Sequence, residues 1–360
     1  MNKQTRLVGI DLCRAIAAFA VIFVHSGDES WGLPISDRAI QFRYLFYFAV
    51  PFFLAASFYF GIKMPLVLDR TFWQKKFQRI VVPYFLWSIF YVVSKTAVFL
   101  ATNDTDRVRE LLSDPIAIIF FGAASYHLYF IPLLLAGTTL LYLANFLYIR
   151  CSCSILLVFA IFSLIIYQLL IVFNCNFDLG SYTAFSSLLQ SVSPDNILYE
   201  PIRILLVDLS WIIRCLPYFS IALILKKVLE QSEPKWLYYK ETVTAIFLVF
   251  VLLNLIGSRY LPTAICELSI AYSLLLFGIT ISQHIPDSDL ITNLGLCSFG
   301  VYLIHPFIKS AVEVVLVKFL PEISSAVSIL SMLVYSIFSF LISWLLVSLL
   351  QKNKTVSQYI

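Results

Sequence analysis

The chain has 360 residues, of which 60% are hydrophobic and only 13% charged, with a mean hydropathy of +0.89. That excess of apolar residues excludes an ordinary soluble globular protein and reads as an all-α, polytopic integral membrane protein. The formal net charge of +4, with no basic stripe along any segment, excludes a nucleic-acid partner.

The first apolar run, "DLCRAIAAFAVIFVH" from 11 to 25, is too long for a removed signal peptide and lacks a small-residue cleavage site after it. It is expected to remain as the first span. With roughly 20 apolar residues needed to cross the hydrocarbon, ten spans are expected, at 7–26, 43–62, 80–101, 127–148, 153–173, 203–225, 242–257, 263–282, 293–317 and 327–350. The seventh is short and the stretch 114–123 reads as a half-helix or an outer loop, so nine or eleven are the alternatives. No internal repeat is visible, and the chain is read as one transmembrane domain over 1–360 without a fused soluble domain.

Loop charge sets orientation, because positive residues stay on the cytoplasmic side. With the N-terminus inside, 14 Lys and Arg, from Lys3 to Lys354, fall on cytoplasmic segments, against six on the other side: Arg38, Arg43, Arg107, Arg109, Arg259 and Lys318. The other five, Arg14, Lys95, Arg203, Arg214 and Lys309, lie in or at the edge of spans. Both termini are therefore expected in the cytoplasm. The outer loops are acidic, with Asp28, Glu29, Asp104, Asp106 and Asp178 among others, which argues against a polyanion drawn in by charge on that side. The seven cysteines show no metal-ligand spacing; Cys151 and Cys153 form only C-x-C, and Cys13, Cys215, Cys266 and Cys297 sit in apolar runs as small core residues.

Ionisable residues inside spans are expensive and mark function by default. Eleven residues make about three helical turns, so Arg14 and His25 share a face with backbones roughly 16 Å apart along the axis. Asp11, three residues before Arg14, offers it a local ion pair; this is either structural support for Arg14 or only a pair near the helix end. His127 opens the fourth span on the outer side, either lining an acceptor mouth or lying at the interface. His305, Lys309 and Glu313 recur at spacing four on one face of the ninth span, where Lys309 and Glu313 can neutralise each other. Asp208, Arg214 and Glu267 read as inter-helix ion pairs, and Tyr44, Tyr47, Trp73, Trp87 and Trp236 as interface anchors.

Arg14, ten intervening residues and His25 resemble the R-x10-H signature of the acyltransferase 3 family of integral membrane acyltransferases, whose members modify surface glycans and related acceptors. "VPFFLAAS" (50–57) resembles its aromatic second span, although Phe58 stands where Gly usually follows Ser57. "KKFQRIVVPY" (75–84) is similar to the basic segment and Pro that open the third span, "HLYFIPLLL" (127–135) to the start of the fourth, and "FGVYLIHPFI" (299–308) to the penultimate span. The five stretches fall in order from 11 to 308.

The resemblance implies a membrane O-acyltransferase, moving an acetyl group from cytoplasmic acetyl-CoA to a hydroxyl of a lipid-linked or surface polysaccharide such as O-antigen, capsule or exopolysaccharide. The location implied is the bacterial cytoplasmic (inner) membrane, among lipids, with no permanently bound cofactor or metal. Such a transfer needs a base for the hydroxyl proton, a donor site, and donors for the developing oxyanion. His25 suits the base, since imidazole is neutral and basic near physiological pH; an acyl-histidine intermediate is the alternative. Arg14 never deprotonates in practice and suits donor orientation or charge stabilisation. Lys75, Lys76 and Arg79 suit the phosphates of CoA, with Arg79 four residues after Lys75 on one face, though a positive-inside loop or a phospholipid-binding segment has the same composition. His305 is assigned to the donor path and His127 to the acceptor. A secondary transporter or lipid-linked-glycan translocator is the reading from another class, because buried charges also suit carriage, although inverted repeats are not visible.

Overall fold

The computed structural model describes residues 6–26, 35–63, 69–173, 185–232, 234–319, 327–353, 356–357 and 359; Lys3, Asp28, Glu29, Asp178 and Lys354, used above for charge, lie outside them. Among the described residues every extended element is a helix, with one isolated β-bridge between Ile35 and Val327. The principal helices are α1 (Val8–Val24), α2 (Asp37–Tyr44), α3 (Ala49–Gly61), α4 (Arg70–Lys76), α5 (Val82–Ala101), α6 (Thr105–Leu112) and α7 (Phe130–Thr138). They continue with α8 (Leu141–Arg150), α9 (Cys153–Phe173), α10 (Tyr199–Ser232), α11 (Lys240–Leu252), α12 (Thr263–Ile281), α13 (Asp289–Phe319) and α14 (Ile329–Leu350).

Eight described helices are long and apolar enough to cross a membrane, and the pair α7 and α8, bent by 44°, makes nine if it counts as one span. The first expected span is a helix of 17 residues. The helical form follows from the solvent: in hydrocarbon each backbone N–H and C=O must be satisfied within the segment. The chain divides into two compact units, Met1–Ser57 with Ser232–Gln358 and Ile360, and Phe58–Gln231 with Tyr359.

In the first unit α1 packs against α12, α13 and α14. Small residues permit this, because helices in lipid associate through close van der Waals approach. A Cβ at Gly9 would overlap the carbonyl of Gly278 on α12, one at Gly278 would lie 2.8 Å from Ile10 Cδ1, and one at Gly295 on α13 would lie 2.7 Å from Asp11 Cα. Gly9 N–H also donates to Ser282 Oγ at 2.9 Å. The other end of α1 is held by rings: Phe23 lies 4.1 Å from Phe46 and 5.6 Å from Phe42, and Phe19 lies edge-on to Phe340 of α14 at 5.7 Å, centroid to centroid. Because the neighbours at Gly295 are Cβ and Oδ1 of Asp11 and its backbone Cα, and Cβ and Cα move only with the helix, they cannot swing away. Gly295→Ala is expected to destabilise the fold by about 1–3 kcal/mol, read as a lower thermal midpoint in detergent; an unchanged midpoint would contradict this packing.

In the second unit α4 and α5 form one continuous helix through a π-helical turn at Phe77–Val81. The expected fourth span instead bends between α7 and α8, where Leu140 N–H bonds back three residues to Gly137 O and the hydroxyls of Thr138 and Thr139 take the carbonyls of Leu135 and Ala136. Such back-bonding competes with the helical ladder and bends it. The stretch 114–123, read as half-helix or loop, contains a π-turn at Ala117–Phe121 that ends on Gly122 with φ +78°. Tyr84 Oη reaches the carbonyls of Ile118 and Ile119, and Lys95 Nζ donates to Ala124 O at 2.8 Å, so α5 fastens this stretch.

Candidate functional site

The Asp11 end of α1 is an ion cluster. Asp11 is 2% exposed, and Arg6 grips it with both arms, Nε to Oδ2 at 2.5 Å and the terminal nitrogen to Oδ1 at 3.1 Å. Arg14 reaches Oδ1 only at 3.7 Å. The expected pair exists, but the fork of Arg6 is the stronger contact, since a planar guanidinium matches a carboxylate bidentately. Arg6 was legible only as a loop charge, because it lies beyond the helix whose spacing reveals Arg14. Held by the weaker contact, Arg14 keeps about a third of its side chain exposed.

At the other end α1 stops at Val24 and His25 caps it with φ −91° and ψ 0°. The last carbonyls of a helix have no partner within it, and here residues beyond it supply donors to three of them: His25 N–H takes Val21 O, and Ser26 takes Phe23 O with its N–H and Ile22 O with its hydroxyl. Lys309 of α13 donates its ammonium to His25 O at 2.6 Å. The imidazole of His25 lies 6.1 Å from that of His305, centroid to centroid, with planes 26° apart.

His305 owes its setting to the residue that follows it. Pro306 has no N–H, so the carbonyl four residues back, Tyr302 O, loses its helical donor. His305 Nδ1 lies 2.7 Å from that oxygen. A carbonyl can only accept, so Nδ1 carries a proton and donates it there. The ring is fully buried. Sequence spacing had placed His305 and Lys309 on one face; it held no sign that this face meets the end of α1.

In the second unit the π-turn matters. A π-turn is wider than an α-turn, so the spacing-four rule that put Lys75 and Arg79 on one face does not carry across Phe77–Val81. A cavity of about 630 Å³ opens beside this turn, lined by Arg70, Trp73, Gln74, Lys76, Phe77, Gln78, Val81, Leu135, Thr138 and Thr139. Of the three expected cations only Lys76 lines it, joined by Arg70, which had read only as a cytoplasmic loop charge, and Trp73, which had read as an interface anchor. The indole of Trp73 stacks on Tyr142 at 5.5 Å, beside the bend after α7. Lys75 and Arg79 are exposed.

His127 is buried in the turn before α7, its ring edge-on to Tyr91 at 5.3 Å and to Tyr126 at 5.6 Å. The segment before it is anchored by Asp114, which takes Arg203 and the N–H of Ala117. Burial pushes the Asp114 carboxyl up, but the Arg203 hydrogen bond, the Ala117 N–H and the Arg203 charge outweigh it and hold the group below the usual carboxylate range.

Long apolar helices and buried ionisable side chains define an integral membrane protein with a polar site at its first helix. The acyltransferase 3 family, described as an acyltransferase domain, matches residues 7–348, and the chain belongs to that family. It is a membrane acyltransferase. No curated protein and no solved structure matches it.

Proposed function

We propose that the protein is an O-acetyltransferase, an acyltransferase for groups other than aminoacyl groups. In this reading it moves acetyl from cytoplasmic acetyl-CoA to a hydroxyl of a lipid-linked or surface polysaccharide across a bacterial inner membrane. The observation that carries the reading is α1 itself, which presents Arg14 and His25 about three turns apart, with His25 backed by His305 and Lys309.

His25 takes the proton of the acceptor hydroxyl as its oxygen attacks the thioester carbonyl. The tetrahedral oxyanion then collapses, the carbon–sulfur bond breaks, and the thiolate recovers a proton from the imidazolium. Arg14 orients the donor or steadies its charge. The phosphates and adenine of CoA suit the cavity beside the π-turn, with Arg70 and Lys76 as charge partners, Trp73 as an aromatic wall, and Lys75 and Arg79 as exposed cations nearby. Its volume is in the ordinary range for small-molecule sites. His305 belongs to the wall behind His25, and His127 is assigned to the acceptor.

Replacing Arg70 and Lys76 together by Ala is expected to raise KM for acetyl-CoA about tenfold or more, since each charge-assisted contact contributes about 1.5–3 kcal/mol, with kcat little changed. An unmoved KM would remove the cavity from the donor path. The reading as a whole is tested by comparing surface polysaccharide from cells with and without the gene: a base-labile ester present only with the gene supports it, and identical ester content refutes it.

A further inference from the structure

We infer that Lys309 is a positioning residue for His25, an inference that rests on the reading of His25 as the base. A lysine in a transmembrane helix ordinarily extends its ammonium toward water where it can. Lys309 does not: it is 4% exposed, and Nζ donates to the backbone oxygen of His25 at 2.6 Å. The partner lies 284 positions away in sequence, so the bond ties two helices together at the residue whose side chain does the chemistry.

One neutral donor would satisfy one carbonyl, and the Ser26 hydroxyl does that for Ile22 O in the same turn. A buried cation is a costly way to cap a helix unless its reach or its charge is needed. Its charge suits the negative end of the α1 dipole. Its reach fixes the backbone from which the imidazole projects, one turn along α13 from His305, whose ring faces that of His25. The Pro306 gap and Lys309 thus act on the same neighbour. The gap sets the orientation of His305 beside the His25 ring, and Lys309 sets the His25 main chain.

Glu313, one turn further along α13, and Tyr335 of α14 belong to the same neighbourhood. The tie to His25 O is made by Lys309. Holding a reacting group in place is worth a large factor in rate: a displacement of about 1 Å can cost about 10²-fold. The loss belongs in kcat, since Lys309 in this account does not hold the donor.

The test compares Lys309→Met, Lys309→Gln and Lys309→Arg with wild type and His25→Ala in reconstituted membranes, using acetyl-CoA and the purified polysaccharide acceptor. Folding is followed by thermal melting in detergent. Lys309→Met is expected to lower kcat about 10²-fold with KM for acetyl-CoA within about twofold, and Lys309→Arg, which keeps a long cationic donor, to recover most of the loss. If Lys309→Met does not fold, Lys309→Arg is expected to exceed Lys309→Gln in kcat at equal KM. Wild-type kcat in folded Lys309→Met, equal kcat in the Arg and Gln variants, or a loss confined to KM each overturns the inference. His25→Ala separates the two claims: unimpaired transfer in that variant removes His25 as base, whereas lost transfer there with normal kcat in Lys309→Met removes only the positioning role.

Discussion

His25→Ala is expected to lower kcat for acetyl transfer by about 10³-fold, within the range general-base catalysis supplies, while the protein still folds and binds acetyl-CoA. His25 sits at the end of α1, after the last helical residue, and the packing of that end rests on Phe19, Phe23, Phe42 and Phe46. Removing the imidazole therefore removes chemistry and leaves the aromatic packing in place. His25→Gln, which keeps a polar side chain of similar length but no base, should be nearly as inactive. The measurement is the initial rate of label transfer from acetyl-labelled CoA at saturating donor, with the thermal midpoint as control. A variant transferring at close to the wild-type rate would end the assignment of His25 as base.

Arg14→Ala is expected to lower kcat/KM by about 10²-fold, comparable with the loss of one preorganised charge donor at a reacting centre, with only a small effect on stability. The stability half follows from the ion cluster: Asp11 keeps both hydrogen bonds from Arg6 when Arg14 is gone, so no buried carboxylate is left uncompensated. Arg14→Lys should recover part of the activity, since it restores charge without the planar fork. Steady-state kinetics with varied acetyl-CoA, beside a melting curve, checks both halves. A large fall in melting temperature with unchanged kcat/KM would make Arg14 structural.

The pair of Asp11 and Arg14 on α1 was legible because helical periodicity and the length rule need nothing but the local sequence. The same holds for long runs such as α9 and α14, whose bounds fall close to the expected 153–173 and 327–350. What escaped depends on neighbours distant in sequence or on departures from α-helical pitch. Arg6 reads as a topogenic charge until its fork is seen on Asp11. Lys309 pairs on paper with Glu313 at spacing four, and only the packing of α13 on α1 brings its ammonium to His25 O. The bend after α7 comes from Gly137 and two threonines within a stretch apolar enough to pass as one span, and a Cβ at Gly137 would lie 2.6 Å from Cys215 Sγ. The π-turn at Phe77–Val81 has no sequence mark that spacing rules can read, and of the expected trio of cations only Lys76 lines the cavity beside it, with Arg70 and Trp73.

The most direct test of acetyl transfer uses purified protein in sealed vesicles, with acetyl-labelled CoA on one side and the polysaccharide acceptor on the other, in both arrangements. The expected result is label on the acceptor as an ester released by mild base, with one free CoA thiol formed for each ester. Movement of the glycan across the bilayer without ester formation or thiol release would contradict the account and leave a transporter in its place.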